Sequence, residues 1–119
     1  MKKEKTCKIV FSDIDGTLLT SDGQITEGTK EMILNLEKKG IPFILTSARS
    51  PEGVRVIKRM LGNHAPIIAF CGGLILDDDG NEIYSKMIPL KRALELKAML
   101  DKDFPAVACN TFGGEKWIV

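Results

Sequence analysis

The sequence predicts an α/β protein, a parallel sheet core followed by a smaller α+β module. Three observations carry this. The apolar runs Ile9-Val10-Phe11, Phe43-Ile44-Leu45 and Ile67-Ile68-Ala69-Phe70 are short and continuous, as strands buried on both faces are. Two stretches of helical apolar spacing lie between them, and strand–helix alternation of this kind marks a parallel sheet. Beyond Leu74 the alternation stops, and Asp78-Asp79-Gly80-Asn81 gives a hairpin signal instead.

In chain order, Cys7 to Ser12 reads as the first strand and Gly16 to Gln24 as a polar loop. Thr26 can cap a helix running to about Lys39, with Met32, Ile33 and Leu36 on one face. Gly40 ends it in the left-handed position, and Pro42 prevents continuation. The second strand is Phe43-Ile44-Leu45. Ser50 is then an N-cap with Pro51 at the first helical position. Val54, Ile57, Met60 and Leu61 follow helical spacing, and Gly62 closes that helix before the third strand, Ile67 to Phe70. Right-handed connections bring the ends of such strands side by side.

The second half reads differently. Leu74–Asp77 and Glu82–Ile88 flank the hairpin turn. Pro89 to about Asp103 is an amphipathic helix with Leu90, Leu94 and Leu100 among its apolar positions. Ala106–Asn110 and Lys116–Val119 read as two further strands around Phe112-Gly113-Gly114. The module boundary falls near residues 83–89, giving segments 1–83 and 84–119. Trp117-Ile118-Val119 falls inside an expected strand, whereas domains usually end on polar, exposed residues. The expectation is a truncated chain or part of a longer one.

The 119 residues suffice for one domain with a core. A net charge of +1 leaves no electrostatic footprint for nucleic acid or a membrane surface. The basic start Met1-Lys2-Lys3-Glu4-Lys5 precedes an apolar run too short for a signal or a membrane span. The expectation is a cytoplasmic protein with neither membrane nor nucleic-acid partner. Cys7, Cys71 and Cys109 are odd in number and lack a CxxC spacing. That argues against a disulfide framework or a zinc site and for small buried thiols. His64 reads as surface loop and Asp77-Asp78-Asp79 as a solvated hairpin tip.

The block Asp13-Ile14-Asp15-Gly16-Thr17-Leu18-Leu19 carries the chemistry. At the carboxyl end of a parallel strand, Asp13 sits where such folds bind ligands. A carboxylate there can attack phosphorus and carry a phosphoryl group covalently. Mg²⁺ held by Asp13 and the backbone of Asp15 would neutralise the opposing charges. Asp15 is placed to protonate a leaving alcohol and then to deprotonate water. Gly16 provides the turn, and Thr17 can hydrogen-bond back to the site. A plain turn is the alternative. A calcium loop is disfavoured because its twelfth position is Gln24 and a strand precedes it.

Thr46-Ser47-Ala48-Arg49-Ser50 ends the second strand. A hydroxyl there, with amides opening the next helix, suits a phosphate oxygen. Ser47 is the first choice and Thr46 the reserve. Arg49 suits a phosphate or the substrate body, or else is solvated. Cys71-Gly72-Gly73 follows the third strand, where glycine permits close backbone approach or a simple turn.

These residues resemble the haloacid dehalogenase superfamily, and within it the Cof-like sugar-phosphatase branch. Asp13 to Leu19 matches the first motif fully, and Ser47-Ala48-Arg49 occupies the second. Ser21 to Thr26 and the following helix are also typical, and the resemblance covers essentially all 119 residues. It implies the N-terminal half of a Rossmann-like core, then the start of an inserted cap that selects the substrate. It also implies Asp13 as nucleophile, Asp15 as acid/base and Mg²⁺ ligand through its carbonyl, and Ser47 as phosphate ligand. The second Asp argues against a dehalogenase. Cys71 departs from the usual Asn before Gly. The Lys and the Asp pair of the later motifs do not occur in the chain. Each such contact is worth on the order of 10²–10³ in rate, so the 119 residues alone should have little activity. The function implied is a Mg²⁺-dependent phosphatase of small phosphorylated metabolites. A phosphomutase and an inactive remnant are the alternatives, and the remnant would associate through an unpaired sheet edge or the cap.

Overall fold

The computed structural model describes residues 6–118. Its elements are β1 (Val10–Asp13), α1 (Glu27–Lys38), β2 (Phe43–Thr46), α2 (Pro51–Leu61), β3 (Ile67–Ala69), β4 (Leu74–Leu76), β5 (Glu82–Ser85), α3 (Leu90–Asp103), β6 (Thr111–Gly113) and β7 (Lys116–Ile118). The first five strands form one sheet in the order β1-β2-β3-β4-β5. The pairs β1/β2 and β2/β3 are parallel, while β3/β4 and β4/β5 are antiparallel. This is the expected α/β core with its hairpin. Contacts divide the chain into two compact units, one ending at Ser85 and one beginning at Lys86.

The helices of the first unit start and stop for local reasons. The Thr26 hydroxyl accepts the Thr29 N–H at 3.2 Å, and the Ser50 hydroxyl accepts the Gly53 N–H at 3.4 Å. Gly62, at φ 77°, closes α2 in a conformation that a side chain would resist. Val54, Ile57 and Leu61 of α2 are buried with Ile14, Leu45, Ile67, Ala69, Leu74 and Leu76. Each large aliphatic side chain buried this way contributes about 1.5–3 kcal/mol.

Several expectations are corrected. The first strand begins at Val10, not Cys7, because its partner β2 offers pairing only from Phe43, opposite Val10. Met32 is 64% exposed, since Ile33 and Leu36 turn inward and Met32 lies about 100° round the helix from Ile33. Phe70 leaves the third strand with φ 50°. The last hairpin pairs Thr111 with Ile118 and Gly113 with Lys116. Its strands extend outward from the Gly114-Glu115 turn, so Ala106–Asn110 has no facing strand and is irregular. The expectations for Met1–Lys5 and Val119 lie outside the described residues. The thiols are not buried: Cys7 and Cys71 are exposed and Cys109 is half-buried. Cys7 precedes β1, and Cys71 sits in the tight turn after β3.

In the second unit Phe112 and Trp117 stack across the hairpin with ring centroids 6.4 Å apart. None of its described residues is buried. No helix among the described residues is long and apolar enough to cross a membrane.

Candidate active site

The site is built where β1, β2 and β3 end. Asp13 closes β1 directly opposite Thr46 of β2. The chain then turns through Ile14–Leu18, with Gly16 at φ 75° and the Leu19 N–H returning to the Ile14 carbonyl at 3.2 Å. Ile14 is fully buried, while Asp13 and Asp15 are exposed. Leu18 and Leu19 pack against the core on the far side of the turn. The alternation therefore anchors the turn by its apolar residues and leaves both carboxylates on the solvent side of one strand end.

The second motif is fixed just as firmly. The Ser47 N–H continues the sheet pairing to the Ile68 carbonyl at 3.0 Å. Ser47 is buried, and its hydroxyl oxygen accepts the Arg49 N–H at 3.1 Å, which leaves its O–H free to donate. The Cys71 N–H donates to the Ser47 carbonyl at 2.9 Å, and the Phe70 N–H donates to the Arg49 carbonyl at 2.9 Å. The turn after β3, with Phe70 at φ 50° and Cys71 at φ 55°, is thus tied to the second motif.

Arg49 then spans the two motifs. Its Nε donates to Asp15 Oδ2 at 2.8 Å and its Nη2 to Oδ1 at 2.6 Å. This is the two-pronged geometry in which a guanidinium matches a carboxylate. The hydrogen bonds from Arg49 hold the Asp15 carboxyl below the usual carboxylate range, and Asp15 holds the guanidinium above its own. The pair is exposed, and pairs of that kind contribute little stability. Its interest is positional.

Asp13, Asp15, Gly16, Thr17, Thr46, Ser47 and Arg49 all fall at the carboxyl ends of β1 and β2 or in the turns that follow. Thr17 makes none of the described side-chain hydrogen bonds, and Arg49 is paired with Asp15 while remaining partly open to solvent. The pairing of Arg49 with Asp15 is not a sequence reading. A signal existed in the register: Asp13 faces Thr46, and the two residues lie two and three positions beyond that pair. The hairpin tip is not simply solvated. Asp78 is bonded to Lys58 and meets His64 Nδ1 at 3.1 Å, while Asp77 accepts the Asn81 N–H at 2.7 Å. Hydrogen bonds, from Lys58 to Asp78 and from Asn81 to Asp77, hold both carboxyls below the usual range. A cleft of about 630 Å³ lies there, lined by residues including Lys58, Asn63, His64 and Asp78. It is at the opposite end of the sheet from Asp13, and Lys58 and His64 are both already paired with Asp78.

Among the described residues no three His, Cys, Asp or Glu side chains gather as a metal cluster. The oxygens at the β1 end are nonetheless hard donors. Magnesium commonly takes one or two carboxylates and completes its shell with water and substrate phosphate. The Asp13 carboxylate and the Asp15 carbonyl fit that requirement in kind.

A mixed sheet with three parallel strands, and with paired carboxylates at and beyond the end of the first, defines an α/β protein with its site at the strand carboxyl ends. Residues 10–119 match the haloacid dehalogenase-like hydrolase family, and the chain belongs to it. A Haemophilus influenzae protein provisionally named a phosphatase is 40% identical over 105 residues, covering 88% of this chain and 40% of that protein. The phosphoglycolate phosphatase of Thermoplasma volcanium is 36% identical over 74 residues, covering 62% of this chain and 33% of that enzyme. The structure of a haloacid dehalogenase-like hydrolase from B. subtilis superposes with a TM-score of 0.72 at 27% identity, covering 81% of this chain and 34% of that one. A sugar phosphatase of HAD subclass IIB shares the fold with a TM-score of 0.71 at 23% identity, covering 92% of this chain and 42% of that one. The chain spans about 40% of the length of the first curated relatives it matches.

Proposed function

We propose that the chain carries part of the active site of a cytoplasmic, magnesium-dependent phosphatase acting on small phosphorylated metabolites such as sugar phosphates. The observation that supports this most is the display of Asp13 and Asp15 on the solvent side of one strand end, with Ser47 at the end of the adjacent strand. In this reading an Asp13 carboxylate oxygen attacks phosphorus, and the bond from phosphorus to the alcohol oxygen breaks. Asp15 gives its proton to the departing alcohol. It then takes one from the water that attacks the aspartyl-phosphate, releasing phosphate and restoring Asp13. Ser47 donates its O–H to a phosphoryl oxygen, with Thr46 beside it and the Gly16-Thr17 turn closing the cradle. The Asp13 carboxylate and the Asp15 carbonyl would hold magnesium, which when bound supplies the charge that lets a carboxylate approach a phosphate dianion. The Arg49 contact lowers the Asp15 carboxyl, which favours the form that takes a proton from water, so Asp15 must leave Arg49 to carry the proton it gives to the alcohol.

The names of the relatives support a phosphatase over a phosphomutase, which would use the same Asp pair. The test is hydrolysis of an aryl phosphate, with and without magnesium, by the 119 residues and by the longest reading frame that contains them. The longer protein should turn over, and Asp13→Asn should lose all turnover and all covalent labelling by phosphate. Retained turnover in Asp13→Asn would remove Asp13 as nucleophile.

A further inference from the structure

We propose that Arg49 exchanges partners during binding: it grips Asp15 in the free site and moves to the phosphoryl group when substrate enters. The inference deepens the phosphatase reading and rests on it. Three observations lead to it. First, the Nε and Nη2 edge of the guanidinium, the edge that grips a phosphate as well as a carboxylate, is already occupied by Asp15. A phosphate taken side-on, in the geometry Asp15 now uses, would compete with Asp15 for that fork.

Second, the backbone of Arg49 is immobilised from both sides, its N–H by the Ser47 hydroxyl and its carbonyl by the Phe70 N–H. Exchange can then occur by side-chain rotation with no movement of the strand ends. Third, the pair is open to solvent, with side chains 35% and 59% exposed. An exposed pair is weakly held, so a dianion bound at the Ser47 hydroxyl, two residues away, can displace it. Exchange would leave Asp15 released only when a phosphoryl group is present.

The probe is inorganic phosphate at a fixed magnesium concentration, with affinity measured for the full chain unmutated and as Ser47→Ala, Asp15→Asn, Arg49→Met and the Asp15→Asn/Arg49→Met double variant. Ser47→Ala should weaken binding. Asp15→Asn, which frees the fork, should tighten it about two- to fivefold, the range a surface ion pair supports. That gain should vanish when Arg49→Met is added. In the unmutated chain, the Arg49 Nε–H resonance should shift as phosphate is titrated. An equal gain from Asp15→Asn with and without Arg49 would mean relief of repulsion and would overturn the exchange. So would an unmoved Arg49 resonance in a chain that binds phosphate. In either case, weakened binding by Ser47→Ala would leave the phosphate site itself standing. Absence of phosphate binding in every form would overturn both the exchange and the site.

Discussion

The unit ending at Ser85 and the unit beginning at Lys86 use the same apolar vocabulary to opposite effect. In the first, Ile14, Leu45, Val54 and Leu61 are almost wholly out of water. In the second, Leu90, Leu94 and Trp117 are all more than half exposed. The contrast is sharpest between the helices. The spacing of α2 delivers Val54, Ile57 and Leu61 to a sheet, and its Ser50 cap fixes where it starts. The apolar face of α3 is much less sharply separated from its polar face, its described residues bury nothing, and Pro89 supplies no capping side chain. Its surface pairs, Arg92 with Glu95 at 2.9 Å and Lys97 with Asp101 at 2.5 Å, are worth only about 0.3–0.5 kcal/mol each. Apolar periodicity thus specifies an element and a face. A core also needs a surface opposite that face.

The comparison predicts unequal mutational costs. Leu61→Ala should destabilise the chain by about 2–5 kcal/mol in urea unfolding, whereas Leu94→Ala should stay within about 0.5 kcal/mol. Equal losses would mean that α3 is packed after all. A smaller effect is expected from Ser50→Ala, about 0.5–2 kcal/mol, because α2 loses the hydroxyl that accepts the Gly53 N–H. No change there would show that burial alone fixes α2.

The smallest effect concerns charge. A carboxyl depressed in the folded state adds stability above its unfolded pKa and loses it as pH falls through the folded value. Asp15 should therefore titrate below the usual carboxylate range by carbon NMR and move up in Arg49→Met. An unmoved titration would mean that Arg49 is not its partner in solution.

Most of the first unit was legible because its signals are local. Thr26, Ser50 and Gly62 act within one turn of the helix they punctuate, and the apolar runs of β1 to β3 need only neighbouring residues to be recognised. The placement of Asp13, Asp15 and Ser47 at or just beyond strand ends was legible for the same reason. What was not legible depends on neighbours distant in sequence. Met32 reads as core until Ile33 and Leu36 take the inward positions. Ala106–Asn110 has strand-like residues but no strand to face. Arg49 meets Asp15 across 34 residues, a distance over which composition is silent.

The turn after β3 has one more consequence. Phe70 and Cys71 are consecutive residues with side chains, and both occupy positive φ, at 50° and 55°. That region costs most residues roughly 1–2 kcal/mol, and Asn tolerates it better than Cys. Asn at position 71 would therefore relieve backbone strain, apart from any contact its amide would make. Cys71→Asn should raise the melting temperature, gaining on the order of a few tenths to 1 kcal/mol. A fall would return the position to side-chain chemistry.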